Sequence, residues 1–164
     1  MAVDMFIKME ASPKIEGEAQ DKAHKGEIDV LAWSWGMSQS GTFHGGGGGG
    51  AGKANVQDLS FTKWVDKSST ALMLSCCNGA TIDKCTLVVR KAGTNPLEYL
   101  TITLEPVMVT SLSTGGSGGE DRLTENVTLN FGTVTVDYQL QKKDGTGEPA
   151  GNFFWNIAAN TKDA

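Results

Sequence analysis

The chain has 164 residues, 39% of them hydrophobic and 20% charged, with a net charge of −5 and a pI near 5.0. That length suits one domain, able to bury roughly 68–70% of its unfolded surface without metal or disulfide staples. The acidic balance argues against nucleic acid or an anionic membrane as the main partner, and Lys22, Lys25, Lys63, Lys67, Lys142 and Lys143 form no basic stripe.

The first ten residues, MAVDMFIKME, place Asp4 inside the apolar stretch and lack the hydrophobic region of a secretory signal. No run of about 20 apolar residues occurs, so no membrane span is expected. Cytoplasmic synthesis follows, with any export needing another route. Period-2 alternation then marks the strands. Val3, Met5 and Ile7 alternate with Asp4, Phe6 and Lys8. Residues 10–27 are polar, contain Pro13, Gly17 and Gly26, and read as a loop. Glu16, Glu18, Asp21 and Glu27 make it a solvated acidic loop, because EF-hand spacing is missing.

Residues 28–36 read as a strand with apolar side chains on both faces. Ile28, Val30 and Ala32 occupy one face; Leu31, Trp33 and Trp35 occupy the other. A strand covered on one side normally shows polar residues opposite. Two readings satisfy this pattern. The strand is central and buried within the monomer, or one face packs on a neighbouring subunit, where aromatic residues concentrate.

Residues 41–52, GTFHGGGGGGAG, hold eight glycines in twelve positions. Only Phe43 and His44 offer substantial side chains, so the segment is either a linker or an arm ordered from outside its own domain. Gly47 to Ala54 fits G-x-x-x-x-G-K-[ST] except at the last residue. Ala54 lacks the hydroxyl that would hold Mg²⁺, and no buried strand precedes, so phosphate binding is rejected. His44 reads as a solvated loop residue.

Residues 55–61 form an imperfect strand running into Trp64 and Val65. One helix follows: Ser68 or Ser69 caps it, Ala71, Leu72, Met73 and Leu74 favour it, and Gly79 stops it after about three turns. Strands resume at 82–91, with Cys85, Leu87 and Val89 on one face, and at 97–104, with Leu100, Ile102 and Leu104 inward. Residues 106–112 begin a new piece at Pro106, which marks a break or an edge. TGGSGGED at 114–121 is a second glycine-rich loop, and Glu120, Asp121, Arg122 and Glu125 read as a local charge cluster beside it. Residues 123–131 turn Val127, Leu129 and Phe131 inward; residues 133–141 do so with Val134, Val136, Tyr138 and Leu140. Gly132 between them reads as a bend or bulge. After a turn at 142–151, residues 152–157 form the last strand. Eight to ten short strands and one helix mean a single-domain barrel or sandwich across residues 1–164.

No chemistry assembles from these residues. His24 and His44 are the two histidines, and no G-x-S-x-G elbow is present. Cys76, Cys77 and Cys85 read as buried, inert thiols rather than a metal or redox site. No catalytic, cofactor-binding or metal-binding residue is assigned.

Longer blocks carry a family resemblance. AVDMFIK at 2–8, GE-x₂-DK-x-H from Gly17 to His24, EIDVLAWSWGMSQSG at 27–41 and GGGGGAGKANVQDLSFTKWVDKSS at 46–69 are the first four. STGGSGGEDRLTENVTLNF at 113–131 and VDYQLQKKDG at 136–145 complete the set. Together they span nearly the whole chain and resemble the hemolysin-coregulated proteins, Hcp, of bacterial type VI secretion. Residues 76–85 and 92–97 depart from the family pattern. The resemblance implies a two-sheet β-barrel with one flanking helix and an extended glycine-rich loop, assembled as a homohexameric ring. Rings stack into a tube within a contractile sheath, carry a VgrG-type spike, and hold small effector proteins in the lumen. It also implies a subunit that is cytoplasmic when assembled and then released to the medium or a target cell. By position, Ser34 faces the lumen. Trp33 and Trp35, with Phe43, His44, Gly45, Gly46, Gly47, Gly48, Gly49 and Gly50 of the arm, fall at subunit and ring-stacking contacts. The arm is then expected to be mobile in a free ring and ordered in a tube. The competing reading is a monomeric β-barrel that binds a carbohydrate or protein ligand.

Overall fold

The computed structural model describes residues 2–41, 43–44 and 52–164. Alternating apolar residues produce ten strands: β1 Val3–Glu10, β2 Ile28–Ser34, β3 Met37–Ser38, β4 Asn55–Val56 and β5 Leu59–Trp64, then β6 Thr81–Ile82, β7 Lys84–Lys91, β8 Leu97–Gly115, β9 Thr124–Gln141 and β10 Gly147–Asn156. The helix, α1, spans Ser69–Asn78 between β5 and β6. All strand pairs are antiparallel. The large sheet runs β10-β9-β5-β2-β1-β7-β8-β6, and a further β8–β9 pairing closes six of its strands into a barrel. Closure removes most exposed strand edges. The short β3–β4 pair stands apart.

The core lies inside that barrel. Ile7, Ile28, Leu59, Phe61, Leu87, Ile102, Leu104, Val127, Leu129 and Val134 are all essentially inaccessible to solvent. Leu72 of α1 joins them, which seats the helix on the barrel. The helix ends at Gly79, with φ 66°. Ser68 precedes it as expected, yet its hydroxyl makes no cap; it turns back to the Asp66 carboxylate. Ser69 works in its place as a bridge, accepting from the Asp66 N–H and donating to Glu125.

β8 and β9 are longer than the sequence pattern suggests. Pro106 does not break β8, and Gly132 does not divide β9. The two residues face each other across the ladder, between Glu105↔Thr133 and Val107↔Phe131. A Cβ at Gly132 would lie 2.9 Å from Pro106 Cδ, so the proline ring occupies the space a side chain would need. There β8 passes from pairing with β7 to pairing with β6, and β9 from β5 to β10. Such a corner lets one strand serve both walls of a barrel. Past it, Val134 is buried, but Tyr138 and Leu140 are 42% and 50% exposed, because β9 runs on beyond the core.

Two polar features depart from the sequence reading. Lys63 and Glu125 point into the barrel, fully buried, where Lys63 Nζ donates to Glu125 Oε1 at 2.5 Å, to the Trp64 carbonyl at 2.8 Å and to Ser69 Oγ at 3.2 Å. Glu125 therefore belongs to no surface cluster with Arg122, whose guanidinium instead lies 4.4 Å from the Trp64 ring. Residues 11–27 are not a free acidic loop either. They lie across the outer side of β1 and β7, bridged at Met9↔Ile15. Arg90 of β7 binds Asp21 of this segment and Asp4 of β1. The Arg90 hydrogen bond is the main reason that the Asp21 carboxyl drops to about 2.

Candidate interaction face

A one-residue irregularity in β2 decides what this sheet shows to the outside. Val30 pairs with Lys63, but Ala32 pairs with Thr62, so Leu31 is an extra residue and the alternation flips there. Ile28 and Val30 point inward before the bulge; Trp33, opposite buried Phe61, points inward after it. Trp33 and Trp35 both pack against the core. Trp35 donates its indole N–H to the Gln57 carbonyl at 2.9 Å, and its ring lies 6.5 Å from Phe131. The strand therefore does not carry two continuous apolar faces. Ala32 and Ser34 are left on the outer face.

The register extends that face across four strands. One row runs Ser34, Ser60, Thr128 and Ser111 through β2, β5, β9 and β8. The next runs Ala32, Thr62, Asn126 and Ser113. None of these eight residues carries a charge, and each is exposed or half-buried. Several satisfy one another: Thr62 donates to Asn126 Oδ1 at 2.6 Å, and the Ser60 and Thr128 hydroxyls are 3.2 Å apart. Charge appears at the two ends. Asp58 accepts from Asn130 Nδ2 at 2.8 Å and from the Thr110 hydroxyl at one end, and Arg122 covers Trp64 at the other. The outcome is a hydrogen-bonding, electrically neutral surface of small side chains.

Ser34 stands in this face. Its companions Ser60, Thr62, Asn126, Thr128, Ser111 and Ser113 were missed, although the sequence spaces them at every second position: S-x-T at 60–62, N-x-T at 126–128, S-x-S at 111–113. Phe43 is 87% exposed and His44 is exposed as well, both away from this face in sequence. Gly45, Gly46, Gly47, Gly48, Gly49 and Gly50 lie outside the described residues, and so does most of the phosphate-loop near-match.

The thiols are not alike. Cys85 is fully buried, and burial pushes its thiol up to about 12. Cys77 is exposed on α1, and Cys76 is half-buried, contrary to the expectation of three buried thiols. Among the described residues, no group of His, Cys, Asp and Glu is arranged to hold a metal ion, and no helix is long and apolar enough to cross a membrane.

Comparison with known proteins agrees with this architecture. Residues 6–138 match the family model described as "Type VI secretion system effector, Hcp". The chain is 62% identical to protein hcp1 of Pseudomonas aeruginosa, over 99% of both chains. A solved type six secretion system protein shares its fold with a TM-score of 0.91 at 29% identity, covering 99% of this chain and 100% of the other. A type VI secretion system effector from Yersinia pestis gives a TM-score of 0.73 at 35% identity, over 94% of this chain and all of that one. Hcp1 from Salmonella typhimurium gives 0.77 at 32% identity, over 99% and 100%. By sequence and by fold, the chain belongs to the Hcp family, the structural, non-enzymatic proteins of type VI secretion.

Proposed function

We propose that the chain is the subunit of the type VI secretion inner tube: six copies close into a ring, rings stack, and the lumen carries effector proteins. The observation that carries this reading is the neutral hydroxyl face across β2, β5, β9 and β8. A face of small, self-satisfied polar side chains suits a wet channel wall better than a sticky ligand cleft. A head-to-tail contact whose rotation closes gives a ring, and contacts along the axis stay open and give a tube. Ser34 is then a cargo-facing residue. Phe43, His44 and the glycines that follow supply the contact between rings. Leu31, exposed at the bulge, and the outer edge of β10, which among the described residues pairs only at Asn156 with Thr161, are available for the contact between neighbours. The remaining partners are a VgrG-type spike and the contractile sheath. The subunit is cytoplasmic while assembled and leaves the cell with the expelled tube.

Mass measurement in solution tests the ring. The expected particle weighs about six times 17.3 kDa and shows as an annulus in negative stain; a clean monomer at micromolar concentration overturns the reading. A monomer that also bound glycans would point to the binding-module alternative.

A further inference from the structure

His24 reaches from residues 11–27 across to β8. Its side chain is 9% exposed, and its ring stacks on Phe6 of β1 with centroids 4.5 Å apart and planes 12° from parallel. Nδ1 lies 2.8 Å from Glu27 Oε2, and Nε2 lies 2.6 Å from Glu98 Oε1 of β8. Both ring nitrogens therefore face carboxylate oxygens. A neutral imidazole carries one N–H and one lone pair, so it satisfies only one of these contacts and sets its lone pair against the other carboxylate. The imidazolium donates to both.

We propose that His24, Glu27 and Glu98 form a proton-operated clasp: the doubly donating imidazolium fastens residues 11–27 to β8, and loss of its proton releases that fastening. The charged groups around it come from every neighbouring element. Asp21 and Glu27 belong to the segment, Glu98 to β8, Arg90 to β7, Asp4 to β1, and Asp29 of β2 pairs with Phe6. Arg90 opposes the imidazolium, but its charge is engaged by Asp21 and Asp4. Burial pulls the imidazole down, and the hydrogen bonds to Glu98 and Glu27 outweigh it, so His24 titrates above its ordinary value. The clasp therefore contributes fully below a pH of about 6.5, the ordinary histidine value, and is lost as pH rises through the higher folded value. At the acid end it fails when the carboxylates themselves take up protons.

The two histidines make the test direct. Imidazole NMR titration, with His44→Asn for assignment, should place the His24 midpoint above about 6.5, the ordinary histidine value. Deuterium exchange between pH 6 and pH 9, corrected for intrinsic rates, should show protection of 18–27 falling as the pH rises, with β7 unchanged. Glu98→Gln, at a half-exposed position, should move the His24 midpoint and the opening midpoint down together by about one unit. The proposal is overturned by His24 titrating at or below about 6.5, the ordinary histidine value, by flat protection of 18–27 across the window, or by an opening in Glu98→Gln that does not follow the His24 titration.

Discussion

The residues that sequence patterns place least well here are the charged ones that go inside. Lys63 reads as one of several scattered lysines, yet it sits at an inward position of β5, alternating with Leu59 and Phe61. Alternation alone would have placed it there, but a lone lysine at a core position makes sense only once Glu125 is known to face it. Removing one partner leaves an uncompensated buried charge. Lys63→Met should cost about 3–5 kcal/mol in urea unfolding, and Lys63→Met with Glu125→Leu should recover most of it. The cysteines make a second residue-scale case. A thiol reagent should modify Cys77 in the native protein and reach Cys85 only on unfolding; equal rates would contradict the burial of Cys85. At the neutral face, Ser34→Gln should leave the ring mass unchanged and reduce co-purified cargo, as read in pull-downs.

At the scale of elements, strand existence and type were largely legible, because β1, β7, β9 and the first half of β8 alternate over long stretches. β10 nevertheless begins at Gly147, inside the stretch read as a turn, and two further places were illegible. The bulge at Leu31 adds one residue to β2, and nothing in IDVLAWSWG distinguishes a flipped alternation from two apolar faces; only the pairing of Ala32 with Thr62 settles it. At Pro106 and Gly132, two residue types that usually end strands instead sit opposite each other and let β8 and β9 continue. Local propensity suggests a boundary, and the tertiary fit of ring against absent side chain overrides it. Gly132→Val should therefore destabilise the barrel by about 1–3 kcal/mol through overpacking on Pro106. A urea midpoint unchanged from the parent would show that the corner yields freely.

For the whole molecule, alternation left barrel and sandwich both open; the family blocks spread along the chain pointed to the barrel with its flanking helix, and the β8–β9 pairing is what closes it. The neutral face was only partly legible: the resemblance pointed to Ser34, whereas its six hydroxyl and amide companions needed the register to bring four distant strands side by side. Phe43 is almost wholly exposed, and the tube reading assigns it to the contact between rings. Phe43→Ala should leave the ring mass intact while shortening the tubes seen by negative stain. Tubes of unchanged length would remove it from the stacking contact.

The pleat puts Lys63 and Glu125 on one side of β5 and β9, and Thr62 and Asn126, one residue away in each strand, on the other. Charge is thus folded inward here, and the middle of the outer face is left without it. On the tube reading, a passenger sliding along such a wall meets no ion pairs to break and few unmet hydrogen bonds to trade. Friction is then low for passengers of either sign of charge, and the same surface that shelters a cargo can shed it within the time of one stroke.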